Sequence, residues 1–161
     1  MAETKIDQAT ARPIRPGPHE AKPPPARVRR PPAARVAIVQ GAYLVAAGLW
    51  PILDLGSFMK VTGPKFEGWL PKGVGACMAN IGAALGAAGL RGKVARELRI
   101  LGVSTALSFA AMDFWYAGLR RRISRVYLLN GITQVAFVGA WAFAEWRESR
   151  DGRRPLEAAF A

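Results

Sequence analysis

Four long runs of apolar residues, almost free of charge, constrain this chain more than any other feature of its sequence. The runs comprise residues 36–53, 73–90, 100–119 and 126–146. Asp113 and Glu145 are their only charged residues. A run of about 18 to 20 apolar residues is long enough to cross a bilayer as a helix. The pattern therefore predicts an all-α fold, a polytopic membrane four-helix bundle.

A soluble helical bundle is the alternative fold. Its helices would repeat polar residues every three to four positions along their outer faces, and the four runs show no such repeat. A cleaved signal peptide at run 36–53 is also disfavoured, because 35 residues precede the run. A signal peptide begins with a short basic segment instead. Run 36–53 is therefore expected to be an uncleaved anchor.

The segments outside the runs have a different character. Residues 1–35 hold eight prolines and eight basic residues against three acids, which predicts a disordered, basic, Pro/Arg-rich cytoplasmic tail. Residues 147–161 are predicted to form a short polar C-terminal tail. Residues 54–72 are too apolar for a solvent loop and too charged for a span, so we expect them to lie in the membrane interface. The interfacial residues of this segment are Phe58, Pro64, Lys65 and Trp69.

The distribution of basic residues predicts the orientation. Four spans place both termini on one side, and that side holds 16 basic residues against 7 on the other. Basic residues near span ends are retained in the cytoplasm, so both termini should be cytoplasmic. Four arginines in residues 120–125 argue against this orientation. The abundance of Ala, Gly and Arg suggests a GC-rich bacterial source, and hence the bacterial plasma membrane.

The formal net charge of +12 also bears on the partners. A nucleic-acid interface is disfavoured, because the basic residues lie at span edges or among prolines. Attraction to anionic lipid headgroups explains the charge more simply, at about 1 kcal/mol per Lys or Arg near the surface. The expected partners are the lipid bilayer and its anionic headgroups.

Asp113 is the only acidic or basic residue well inside a run, and its insertion costs about 2.5 to 3.5 kcal/mol. In the predicted topology Asn130, Gln134 and Asn80 lie at the same depth. Asn130 and Gln134 share a helix face, so one carboxyl group on the adjacent span could bond both. Two interpretations stay open. The cluster is either a pocket that binds a proton or ligand, or a polar clamp that fixes helix packing at about 0.6 kcal/mol per bond.

The second run carries small residues at helical spacing. They are Gly75, Ala79, Gly82, Gly86 and Gly89. Such a stripe lets another backbone approach closely, either within the chain or between copies.

The residue types for most catalytic mechanisms are scarce. The only histidine, His19, lies in the tail, and the only cysteine, Cys77, lies in the second run. We therefore expect no enzyme, no metal and no cofactor. The leading hypothesis is a helix-packing binding or accessory protein that uses the glycine stripe against a second copy or another membrane protein. The alternative is a small carrier or proton-coupled transporter that uses Asp113.

Six short motifs stand out along the chain. They are Trp50-Pro51, Ser57-Phe58, Val61-Thr62-Gly63-Pro64-Lys65, Trp69-Leu70, Asp113 in the third run and Val126-Tyr127-Leu128-Leu129. Together they resemble a group of small bacterial four-span integral membrane proteins for which no activity is established. The resemblance covers roughly residues 36–146. It implies a membrane location and a four-span fold, and no activity.

Overall fold

The computed structural model describes residues 30–159 and is helical over most of that range, with no strand in it. The helices are α1 Pro32–Leu53, α2 Leu55–Thr62, α3 Trp69–Leu90, α4 Arg96–Asp113 and α5 Val126–Ala159. A π-helical segment, Phe114–Leu119, continues α4. The predicted disordered tail lies, up to residue 29, outside the described residues.

Four of the helices coincide with the four apolar runs. α1, α3, α4 with its π-helical extension, and α5 are each long and apolar enough to cross a membrane. α1, α3 and α4 each begin four residues before the predicted run, and α5 continues past residue 146 to Ala159. The predicted runs end at charged residues, because charge is excluded from the apolar part of a membrane. A helix ends where its backbone hydrogen bonds end, so it can extend past the run. Pro32, at the first position of α1, favours a helix start there.

α1 and α3 pack with their backbones in close contact. A Cβ atom added to Gly41 would lie 2.6 Å from the carbonyl oxygen of Gly82, and one added to Gly82 would lie 2.6 Å from the carbonyl oxygen of Gly41. Gly48 and Gly75 form a second such pair two turns along. Cβ atoms do not approach backbone atoms so closely, so this contact requires glycine.

The predicted stripe of small residues therefore packs within the chain. Gly75, Gly82 and Gly89 are buried against α1, and Ala79 and Gly86 are half-buried beside them. The face that the accessory hypothesis assigns to a partner is occupied by α1.

The remaining helices complete the bundle around α1. α5 packs against both α1 and α4, whereas α3 has few contacts with α4. Leu44 of α1, Leu85 of α3 and Trp141 of α5 belong to one buried core cluster. The bundle thus consists of two helix pairs, α1 with α3 and α4 with α5, which meet along α1 and α5.

An ion-pair network joins three helices at the end where α1 begins. Arg99 Nη1 of α4 lies 2.7 Å from Glu145 Oε1 and 2.6 Å from Glu148 Oε2, both on α5. Glu148 Oε1 also accepts a hydrogen bond of 3.1 Å from the backbone N–H of Ala33. The beginning of α1, the beginning of α4 and this part of α5 therefore lie at the same end of the bundle.

We predict that Gly82→Ala lowers the free energy of unfolding by about 1 to 3 kcal/mol, because the added methyl group overpacks the contact with α1. Gly86→Ala, on the same helix, is the matched control, because a Cβ atom there meets no heavy atom within 4 Å. Unfolding of the full-length chain by heat or SDS in detergent micelles measures both. Equal effects of the two substitutions would contradict the close packing.

Candidate functional site

The segment between α1 and α3 forms a short helix, α2, at the end of the bundle opposite Arg99. Asp54 Oδ1 caps this helix by accepting a hydrogen bond of 2.9 Å from the backbone N–H of Ser57. Trp50 Nε1 donates to the Ser57 hydroxyl at 2.8 Å, which ties α2 to α1. The hydrogen bonds from Ser57, chiefly that of its backbone N–H, hold the pKa of Asp54 below its ordinary value. The cap is therefore charged at neutral pH.

The chain reverses direction after α2. α2 ends at Thr62, and Gly63 follows with a φ of +92°, a conformation that favours glycine. Pro64 and Trp69, two of the predicted interfacial residues, are exposed. Helix α2 and this turn form the wall of the site beneath them.

A cavity of about 370 Å³ lies against α2, with lining residues from all five helices. Its walls are mostly apolar and include the aromatic side chains Tyr43, Trp50, Phe58, Phe109 and Tyr127. Lys65 also lines it, with Nζ 5.3 Å from the centroid of the Tyr127 ring. Asp113 and Asn130 are the other strongly polar residues of the wall. An apolar cavity of this size with a few convergent polar groups is typical of small-molecule sites.

The structure brings together three of the four residues of the predicted polar cluster. Asn130 Nδ2 donates a hydrogen bond of 2.6 Å to Asp113 Oδ2, and Gln134 Nε2 lies 3.5 Å from Asn130 Oδ1. The Tyr43 hydroxyl of α1 also donates to Asn130 Oδ1. Asp113 is only 4% exposed and Gln134 is fully buried. The cluster thus links α1, α4 and α5.

Asn80, the fourth predicted member, lies apart from this cluster. It is exposed on α3, a helix that packs against α1 and has few contacts with α4. Asn80 was predicted to lie at the depth of Asp113, but equal depth does not bring two residues together when their helices face different neighbours. The prediction that Asn80 joins the cluster is corrected accordingly.

Two backbone features position Asp113. The π-helical segment starts immediately after it. Such segments are rare in proteins, and those that occur are often found at functional sites. Gly131 of α5 lies opposite, where an added Cβ atom would lie 3.2 Å from Asp113 Cβ. The small Gly131 lets α5 approach α4, so that the neighbouring Asn130 reaches the carboxylate.

A second buried polar contact, centred on Gln40, was not predicted from the sequence. Gln40 Nε2 of α1 donates to the carbonyl oxygen of Gly102 at 2.8 Å, and Trp141 Nε1 of α5 donates to Gln40 Oε1 at 2.7 Å. Both side chains are buried, and both ends of the Gln40 amide are bonded. Gln40 is the only amide side chain in the uncharged run 36–53, and this was the sequence feature that could have identified the contact. Gln40 is a polar clamp between α1, α4 and α5.

The Asp113 cluster differs from this clamp because it has acceptor atoms to spare. Gln134 Oε1 is buried without a hydrogen-bond partner in the described part of the chain. The Asp113 carboxylate accepts one hydrogen bond, from Asn130, and forms no ion pair among residues 30–151. Of these acceptors, only the Asp113 carboxylate lines the cavity, so it is the one that can accept a hydrogen bond from a further group.

Within the described residues, no group of three or more His, Cys, Asp or Glu side chains could hold a metal ion. Comparison with known proteins identifies no relative: no family model, no curated protein and no solved structure matches the chain.

Proposed function

We propose that the chain is an integral membrane protein of the bacterial plasma membrane that crosses the bilayer four times. Only 22% to 33% of the residues in the four candidate spans are buried inside the bundle. Large apolar side chains cover much of the rest, such as Leu53, 79% exposed, and Leu129, 65% exposed. Such a surface would promote aggregation in water, whereas lipid is the appropriate solvent for it.

The proposed orientation places both termini in the cytoplasm. The end of the bundle with Arg99 also holds the connection between α3 and α4, which contains Arg91 and Lys93. Basic residues of this kind are retained on the cytoplasmic side. The cavity against α2 then opens toward the outer half of the membrane.

Single-cysteine labelling in the Cys77→Ser background tests this placement. We expect Glu67→Cys to react with a membrane-impermeant maleimide in intact spheroplasts, and Lys93→Cys to react only after permeabilisation. Recovery of the full-length chain in the detergent-free soluble fraction would contradict the membrane placement. The reverse labelling pattern would contradict the orientation alone.

We infer further that the protein is a small carrier for apolar amines and that Asp113 holds the amine. The observation that supports this proposal is a buried carboxylate, in the wall of an aromatic cavity, without a basic partner among the described side chains. A buried charge without a partner is costly. An ammonium group of the substrate, or a proton when no substrate is bound, would offset that cost.

The remaining groups of the site agree with this class of substrate. The Asp113 carboxylate, which lines the cavity, accepts hydrogen bonds, so the missing group is a donor. Aromatic faces attract cations, by about 0.5 to 2 kcal/mol each. Lys65 has the same charge sign as the proposed substrate. Its ammonium group lies near the ring of Tyr127, about one helical turn before Asn130, and therefore on the loop side of the cavity.

Ethidium, an aromatic cation with N–H donors, is a suitable probe. We expect it to bind the full-length protein in nonionic micelles saturably, and we expect Asp113→Asn to weaken this binding at least tenfold, because the substitution removes the charge. Glu67→Gln, an exposed acid outside the cavity, should change the binding less than twofold. Fluorescence titration measures both.

Ala47→Phe gives a second variant, which fills the cavity without altering the polar cluster and should also weaken binding. Retention of ethidium binding by Asp113→Asn would refute the proposed role of Asp113. Equally tight binding of an aromatic sulfonate of similar size would refute the proposed substrate class.

A helix-packing accessory protein remains the second candidate function. The supporting observation is the exposed Asn80 amide on the outer face of α3, one turn from the exposed Cys77. An amide in a span is stabilised by bonding across helices, by about 0.6 to 2 kcal/mol, and an amide can both donate to and accept from its own copy.

Mild oxidation of the wild-type protein in its membrane tests this second candidate. A contact through Asn80 should place the two Cys77 side chains close enough to form a disulfide-linked dimer, and Asn80→Leu should reduce the dimer at least twofold. Cys77→Ser is the negative control. Absence of the dimer at full membrane expression would count against self-association on this face and would leave the pocket proposal untouched.

A further inference from the structure

A second cavity lies at the other end of the bundle, where α1 begins. Its volume is about 800 Å³, and it is bounded by the first turn of α1, the connection between α3 and α4, and α5. Arg30, Arg35, Lys93 and Arg147 line it, and all four are exposed. We call this cavity the basic cleft.

The charges in the basic cleft do not balance. Arg99, a fifth basic residue of the wall, is paired with Glu145 and Glu148. Glu148 is further engaged by the backbone N–H of Ala33. Asp151 is the only other acid of the wall, which therefore holds five basic residues, four of them outside the Arg99 network, against two acids.

None of those four cations forms an ion pair among residues 30–151. Since the local charge is positive and open to solvent, the complementary ligand is an anion. The positive end of α1 adds little to the recognition, because the N–H groups of Ala33 and Ala34 already donate to Glu148 and to the carbonyl oxygen of Pro31. The arginine and lysine side chains are the recognition elements.

The position and shape of the basic cleft favour a lipid over a small free anion. Its volume far exceeds that of one phosphate group, and part of its wall is apolar, including Pro32, Val94 and Ala95. Ile100, in the first turns of α4, exposes 58% of its surface just beyond this wall. A phospholipid places an anionic phosphate directly above apolar chains, which matches this order of charged and apolar surface.

We propose that the basic cleft is a binding site for one acidic phospholipid of the inner leaflet, held by its phosphate between Arg35 and Lys93. The proposal depends on the membrane placement and orientation, and it is independent of the Asp113 pocket. The proposal predicts binding at one defined site, whereas a diffuse positive charge would attract anionic headgroups without a specific site.

Native mass spectrometry of the full-length protein in nonionic detergent tests the site, with short-chain phosphatidylglycerol as the probe and phosphatidylcholine as the zwitterionic reference. We expect one phosphatidylglycerol to bind in preference to phosphatidylcholine. The double variant Arg35→Gln/Lys93→Gln should weaken this binding at least tenfold. Arg12→Gln/Arg15→Gln removes the same charge from the N-terminal tail and should weaken it less than twofold.

Three results would overturn the proposal. Equal weakening by the two double variants would indicate diffuse attraction to the net charge, and unchanged binding in Arg35→Gln/Lys93→Gln would remove the site. Displacement of phosphatidylglycerol by millimolar inorganic phosphate would identify a free-anion site instead. Arg147→Gln is the second variant, for use if Arg35→Gln/Lys93→Gln fails to fold; Arg147 is exposed on the opposite wall of the cleft. It should weaken binding several-fold. Unchanged binding in Arg147→Gln would also refute the site.

Discussion

The close backbone contact between α1 and α3 determines how the rest of the molecule is arranged. Four glycines let the two helices approach: Gly41 and Gly48 on α1, and Gly75 and Gly82 on α3. As a result, α3 packs against α1 and has few contacts with α4. α4 pairs with α5 instead. The space left between the two pairs, at the end where α2 crosses, is the cavity with the Asp113 cluster. The same packing of α3 against α1 leaves Asn80 on the outer face of α3, exposed and away from the bundle.

The number and position of the long helices could be predicted from the sequence, because uncharged runs of this length have few other solutions. The helix ends could not. Residues 32–35, 69–72 and 96–99 are helical although they are charged or polar in part, and α5 runs to Ala159. Backbone hydrogen bonding continues where hydropathy stops. Helix α2 was missed for a related reason: its eight residues are too short and mixed for a clear period, and its cap by Asp54 depends on local geometry.

The polar cluster was predictable only in part. Asn130 and Gln134 are four residues apart on one helix, and Asp113 lies at the matching depth on the neighbouring span, so spacing alone brought these three together. Asn80 was misplaced because depth does not determine which face a helix turns inward. Tyr43 could not be assigned a role from the sequence, since a tyrosine in an apolar run is equally at home in a core, and only its hydroxyl contact with Asn130 identifies it.

The contrast between the two buried polar contacts gives the strongest physical reason for expecting a ligand at Asp113. Gln40 shows that this bundle can bond both polar atoms of a buried amide, with Gly102 and Trp141 as partners. A cluster that served only packing would be expected to reach the same saturation, because an unmet acceptor in an apolar interior costs about 1 to 3 kcal/mol. The Asp113 cluster instead keeps acceptors open and borders a cavity with aromatic walls. The Gln40 clamp and the glycine contact also hold these helices together, which supports the proposal that the Asp113 carboxylate serves binding rather than packing alone.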